Sequence, residues 1–488
     1  MELYIQPLRV QQTLQRLISF PTVNPLSRHT PIEQATFREA LVGCREYLVK
    51  ELEAMRFAVN RFSTPSVLSG EVGTSDWRKF IERRGLISGF ESPHLHAYSG
   101  SLQARKQIFL TGHFDVVDVD KPKWGGINPF SETFIDGKIY GRGALDMKGG
   151  VATFLEVARV LSAQRLVDEN SDVAVHLLLV SLEEMGAGKF TGAHYLDQML
   201  YSMQINRNAK FLIIEGEPNL GIVTRRRGAA TLHINLKNVS QSAGNGEKLF
   251  VIGKSGHVGN FDITSSECEH PLFKLAREYF ESDKYKGKHI AALSWPAKEV
   301  NVVVDEASLE FSDRATSYSA QLEKLLNFFY LLQKSDLNEF RDRDRGFSAN
   351  PIINFENGKM QVNLRFMGDS MGVKKKIQDI VREAGLEMTD FEELNPMFNH
   401  EESELSFGLE RVASGVELAS NFIVANGCSD LQWIARLREK YGINLQAAGF
   451  GPFIGGGEHG NPEWVELNSL VQTGDALLKF IFSQLQST

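Results

Sequence analysis

Cysteine is scarce in this chain: Cys44, Cys268 and Cys428 are the only three in 488 residues. Their odd number, wide spacing and lack of any CxxC pair argue against a disulfide framework and against cysteine-held zinc, and a reduced, cytoplasmic setting is expected. Long apolar runs are missing too. The best, VHLLLVSL from Val175 to Leu182, is far short of the roughly 20 residues that span a bilayer. The opening MELYIQPLRVQQTLQRLISF has no basic leader followed by an apolar block, so no signal peptide is expected. There is no excess of positive charge. Lys and Arg total 53 against 61 Asp and Glu, a formal net charge of -8, which argues against nucleic acid or an anionic membrane as the main partner. Several signatures also fail to complete. GAGKF lacks the Ser/Thr and leading Gly of a phosphate loop, GFGPFI does not finish GxGxxG, and GKSGH ends on His257 where a nucleophile elbow needs Gly.

The rest of the composition, 42% hydrophobic and 23% charged, is that of a globular protein, and the length suits more than one domain. Residues Phe37–Met55 carry leucines and aromatics at helical spacing. Gln107–Thr111 is a short apolar strand ending at GHFD. After DMKGG, the residues Val151, Phe154, Leu155, Ala158 and Leu161 share one helical face. Val173–Leu182 and Ala209–Ile214 read as strands buried on both faces. Alternating strands and helices predict an α/β domain with a mixed, mostly parallel sheet flanked by helices. After Arg227 the pattern changes. TLHINL and QVNLRF alternate as half-exposed strands, Glu267–Phe280 and Lys374–Ala384 read as helices, and a closing helix covers Leu467–Leu485. This predicts a discontinuous domain of residues 1–227 and 397–488, with a separate α+β unit, 228–396, inserted in it.

The polar residues that matter fall at the carboxyl ends of the predicted strands, where parallel sheets bind ligands. TGHFDVVD offers His113 and Asp115, which share a parity and so a side of an extended segment. GRGALDMKGG holds Asp146 in a glycine-flanked turn; taken alone, it could equally be a helix N-cap. Glu183 and Glu184 follow the most apolar strand, and an irregular strand end is needed to make adjacent side chains converge. Glu217, in GEP, is favoured as the next ligand, with Glu215 as the alternative. His459, in GGGEHGNPE, is the second imidazole. Two histidines and several carboxylates from different strand ends have the donor chemistry of a two-metal hydrolase site.

In this order, GHFDVV, the block WGGINPFSETFIDGKIYGRGALDMKGG, EE, GEP, GKSGH, NLR and the late EHG resemble the M20 family of metallopeptidases and deacylases, most of all its acetylornithine deacetylase, succinyl-diaminopimelate desuccinylase and glutamate carboxypeptidase branch. The resemblance implies a zinc exopeptidase-like catalytic domain and an inserted ferredoxin-like lid that dimerises in many members. It implies two zinc ions, with cobalt or manganese as substitutes. His113, Asp146 and Glu217 would hold one ion and Asp146, Glu184 and His459 the other, with Asp146 bridging. Glu183 would be the general acid/base acting on a hydroxide shared by the ions, and Asp115 would orient His113. His257 would reach the reaction centre from the lid, Arg365 would grip the substrate carboxylate, and the Asp146–Met147 peptide would be cis. The implied reaction is hydrolysis of the amide bond of an N-acyl amino acid or of a peptide with a free carboxylate. A dipeptidase or aminopeptidase of the same family is the alternative, and a non-catalytic binding protein on this fold is a third reading. The insert is larger than the usual lid, with the extra length placed between Glu281 and Phe347.

Overall fold

Four short apolar runs form the parallel centre of a sheet. The computed structural model describes residues 4–25, 29–64, 70–119, 121–131, 133–185, 192–214, 221–236, 246–254, 256–258, 261–297, 302–315, 317–341, 346–395, 397–399, 403–425, 431–451, 454–460 and 462–486. In it the strands Val173–Val180, Lys106–His113, Lys210–Ile213 and Gln446–Phe450 lie side by side in that order and run parallel. Antiparallel strands Ser92–Ser99 and then Ala58–Thr64 extend one edge, and Ile222–Arg226 extends the other. From Lys106–His113 the chain passes through the helix Gly149–Ala163 to Val173–Val180 on one side. It then passes through the helix Gly192–Tyr201 to Lys210–Ile213 on the other. That reversal beside Lys106–His113 is a topological switch point, the place where open α/β sheets bind ligands beyond their strand ends.

The sheet is covered on both faces. Every residue of Val173–Val180 is buried. Val173, Val175, Leu177 and Leu179 enter one apolar cluster, Leu178 and Val180 another, as the two-residue period of a strand requires. Helices Pro7–Ile18, Pro31–Ala54, Gly149–Ala163 and Leu467–Gln486 supply the first cluster, and Gly192–Tyr201 and Leu431–Tyr441 the second. Each fully buried Leu or Val here stabilises by about 1.5–3 kcal/mol.

Local signals explain where the elements begin. The helix expected from Phe37 starts earlier, at Pro31. Thr30 Oγ1 accepts from Glu33 N at 3.3 Å, while Glu33 Oε2 accepts from Thr30 N at 2.7 Å, a reciprocal cap followed by proline in the first turn. The helix expected from Glu267 starts later, at Pro271, whose ring suits the first helical position. Asp146 is not an N-cap: it sits inside a turn over Ala144–Lys148, and the Asp146–Met147 peptide is cis. Gly150 explains part of the glycine pair after Lys148. A Cβ there would stand 2.3 Å from the carbonyl oxygen of Ile214, so the helix packs on its neighbour backbone to backbone.

By contacts the chain forms two compact units, one of Met1–Arg225, Phe398–Ala425 and Ser429–Thr488, the other of Arg226–Met397 with Asn426–Cys428. The second unit has its own apolar core. Its antiparallel four-stranded sheet runs Ser348–Asn354, Lys359–Phe366, Gly228–Asn235, Glu387–Asn395. With helices Pro271–Glu281 and Ser370–Glu383 this is the β-α-β-β-α-β order of a ferredoxin-like unit. The stretch between Glu281 and Phe347 adds the strands His289–Ser294 and Glu306–Ser312 and the helix Ser317–Lys334, and both strands join Lys248–Ile252 in a second sheet. Cys44 and Cys268 are buried free thiols, and Cys428 lies outside the described residues. Among the described residues no helix is long and apolar enough to cross a membrane.

Two glycines in the first unit should respond in opposite directions. Gly150→Ala is expected to lower the stability of the metal-free protein by about 1–3 kcal/mol through overpacking. At Gly43, within Pro31–Ala54, a Cβ meets only the Phe20 ring at 3.5 Å, so Gly43→Ala should raise stability by about 0.5–1 kcal/mol. Urea denaturation midpoints check both, and a neutral Gly150→Ala would contradict the packing argument.

Candidate metal centre

Four segments of the first unit bring imidazoles and carboxylates together. His113 ends the strand Lys106–His113. Its Nδ1 donates to the backbone carbonyl of Asp115 at 3.1 Å, which leaves Nε2 facing Asp146 Oδ1 at 3.1 Å. His459 arrives from a turn closed by Gly460 N donating to Gly457 O at 2.7 Å. Its Nε2 lies 3.3 Å from Asp146 Oδ2 and 2.9 Å from Glu184 Oε2. The two oxygens of Asp146 therefore address two different imidazoles.

Glu183 and Glu184 converge because the strand before them ends irregularly. Leu182 adopts φ +66°, and a 3-10 turn covers Glu183–Met185. Asp115 holds that turn in place. Its carboxylate accepts from Glu183 N at 3.3 Å, Glu184 N at 3.2 Å and the Asn24 side chain at 2.6 Å. Its Oδ1 is 3.5 Å from His113 Nδ1, farther than its own carbonyl oxygen. His113 Nδ1 is thus bonded to the main chain of Asp115, while the Asp115 carboxylate accepts the amides of the Glu183–Glu184 turn. Glu183 Oε2 lies 3.9 Å from His113 Nε2, with its side chain 11% exposed.

The electrostatics suit cations. Burial works against charge on His113, but the hydrogen bonds and charges of Asp115 and Asp146 outweigh it and hold its pKa well above the ordinary histidine value. His459 is raised in the same way, burial being overcome by Glu184 and Asp146. Burial would raise Asp146, yet the two imidazoles hold it below the usual carboxylate range. Glu184 is raised, chiefly by burial. A pocket this acidic needs positive charge, from protons or from metal. Two ligands each about 2.0–2.1 Å from a tetrahedral zinc stand roughly 3.3 Å apart, and the 3.1 and 3.3 Å separations at Asp146 are of that size. Carboxylate and imidazole donors of His113, Asp146 and Glu184 fall within 4.8 Å of one another, as do those of Asp146, Glu458 and His459. The residues present fit divalent metal.

Glu215 and Glu217 lie outside the described residues. His257 and Arg365 belong to the second unit. The His257 backbone pairs with Val302. Arg365 is buried in the strand Lys359–Phe366, and its Nε makes no hydrogen bond among the described residues. Four contributors escape a reading of the sequence: Asn24, Arg142, Glu458 and Glu463. Only Glu458 had a visible signal, an acid directly beside His459.

Residues 109–483 match the profile of peptidase family M20/M25/M40. Succinyl-diaminopimelate desuccinylase 2 of Ruegeria sp. (strain TM1040) is 29% identical over 231 residues, 46% of this chain and 52% of that protein. Acetylornithine deacetylase of Buchnera aphidicola subsp. Acyrthosiphon pisum (strain 5A) is 27% identical over 208 residues, 40% of this chain and 46% of that one. The chain spans about half the length of these curated relatives. Among solved structures, the di-peptidase Dug1p from Saccharomyces cerevisiae superposes with TM-score 0.59 at 12% identity, covering 99% of each chain. Human carnosine dipeptidase 1 gives 0.58 at 14%, covering 98% of this chain and 97% of that one. At such identities the likeness is one of fold.

Metal uptake should release protons. Zinc added to chelator-treated protein must displace those held on His113 and His459, so apparent affinity should rise as pH increases. Calorimetry in buffers of different ionisation enthalpy measures this, and binding without proton release would contradict the charge balance described.

Proposed function

The chain belongs to peptidase family M20/M25/M40, and from that premise we propose that it is a metal-dependent hydrolase cleaving the amide bond of an N-acyl amino acid or of a short peptide with a free carboxylate. The observation that carries this reading is the placing of Asp146 between His113 and His459, one carboxylate oxygen toward each. On this reading His113, Asp146 and Glu217 hold one ion, and Asp146, Glu184 and His459 the other. Zinc suits the donors, with cobalt or manganese as substitutes. When bound, such ions polarise a carbonyl and make water a stronger acid.

The chain's own residues supply the rest. Glu183, partly open beside the ligands, takes the proton of the attacking water and returns it to the leaving amine. Asp115 keeps Glu183 and Glu184 turned toward the centre. His257 stabilises the developing oxyanion. Arg365, a buried guanidinium with a spare donor, binds the substrate carboxylate through a planar fork. The ferredoxin-like unit is assigned as the lid and as the surface through which two copies pair. The buried free thiols accord with a cytoplasmic setting. The two curated relatives named above are a desuccinylase and a deacetylase, which supports acylated amino acids over peptides as substrates.

A panel of N-acetyl and N-succinyl amino acids and dipeptides, assayed with added zinc, tests the reading. Acylated amino acids should be hydrolysed, and cleavage of dipeptides alone would move the chain to the peptidases. Glu183→Gln should lower kcat by about 10²–10⁴ while metal content stays unchanged. His459→Ala should lose one ion by elemental analysis. A zinc-loaded protein inert on the whole panel would overturn the proposal.

A further inference from the structure

Asp146 and His459 stand 313 positions apart, yet one buried pair, Arg142 and Glu463, ties their loops together. Glu463 follows His459 by four residues and is 1% exposed. Its Oε2 accepts from Arg142 Nη1 at 2.7 Å and from Gly143 N at 2.9 Å. Its Oε1 accepts from Leu145 N at 2.8 Å and from Asp146 N at 3.1 Å. The carboxylate thus gathers the backbone of the Asp146 turn. Arg142, 2% exposed, answers in the other direction, with Nη2 donating to Gly460 O at 2.9 Å, the residue after His459. The backbones reinforce this: Gly141 N donates to Glu463 O, and Lys138–Tyr140 pairs antiparallel with Trp464–Glu466. His459 itself has φ +52°, a left-handed conformation that a side chain resists and that persists only where the surroundings over-determine it.

A carboxylate and a guanidinium this deeply buried are costly unless both find partners. Here the partners are the main chains on either side of the centre. We infer that the Arg142–Glu463 pair is a positioning device that sets the spacing of Asp146 and His459, and through it the affinity for the ion those two residues share. Neither member is among the proposed ligands of that ion. Each acts through the loop it holds, as partners beyond the ligands do in metal sites generally. The inference rests on the two-metal reading above.

The test uses the full chain, stripped with chelator and reloaded with zinc, and measures each ion's affinity by competition with a chromophoric chelator. Arg142→Lys keeps the charge beside Glu463 but lacks the fork that also reaches Gly460. It should weaken one ion by about 10–100-fold and leave the other within about threefold. Its kcat should recover when zinc is raised to saturation, a recovery that general loosening of the fold would not allow. Glu463→Gln should weaken the same ion further. Where that variant fails to fold, amide exchange in the metal-free wild type stands in its place: the Gly143, Leu145 and Asp146 amides should be protected. Unchanged affinities, equal weakening of both ions, or fast exchange at those three amides would overturn the inference. A wild type that takes up no zinc would overturn the functional reading itself, and this inference with it.

Discussion

A carboxylate caught between two imidazoles is the constraint around which the first unit is organised. Asp146 must present one oxygen to His113 and the other to His459, and its own backbone amide must point away, to Glu463. A helix or a strand does not offer that combination, and the chain uses a short irregular turn between Gly143, at φ +82°, and the tightly packed Gly150. The parallel strands then have one task, to deliver His113 and the Glu183–Glu184 turn to the same end of the sheet. The switch point beside Lys106–His113 makes room for them.

The same arrangement would be unstable as bare anions. Glu184 and Asp146 are buried beside each other, and each is tolerated because an imidazole stands against it. Protons fill that role without metal, which is why the two histidines are strongly basic. Divalent ions satisfy the same demand more completely, since one ion can serve several oxygens at once. The acidity that resists folding is thus the acidity that attracts metal.

Much of this was legible in the sequence, and the pattern of what was not is physical. His113, Glu183 and Glu184 each follow an apolar run, so hydrophobic periodicity alone puts them at strand ends. Asp146 and His459 stand out through their glycines. The supporting groups carry no such mark. Glu463 works by accepting main-chain amides from a segment more than three hundred residues away, and backbone amides have no signature in residue type. Asn24 holds Asp115 from a loop 91 residues earlier. The edge strand Ala58–Thr64 and its neighbour Ser92–Ser99 were likewise hidden. The first is partly exposed and mixes Asn60, Arg61 and Ser63 with its apolar residues, and the second breaks its apolar pattern with the buried His94 and His96. The second unit was readable as α+β, but the reading stopped short of the two strands and the helix between Glu281 and Phe347, although Glu306–Ser312 alternates residue by residue between its two faces.

The position of His459 along the chain also bears on how the protein is made. A nascent polypeptide can bury most of its parallel sheet, and all of the ferredoxin-like unit, before His459 leaves the ribosome. Until then Asp146 lacks one histidine, and the amides around it lack the Glu463 carboxylate. The Asp146–His459 contact therefore joins the two stretches of the first unit that flank the second unit in the sequence, and it forms only once both have been made.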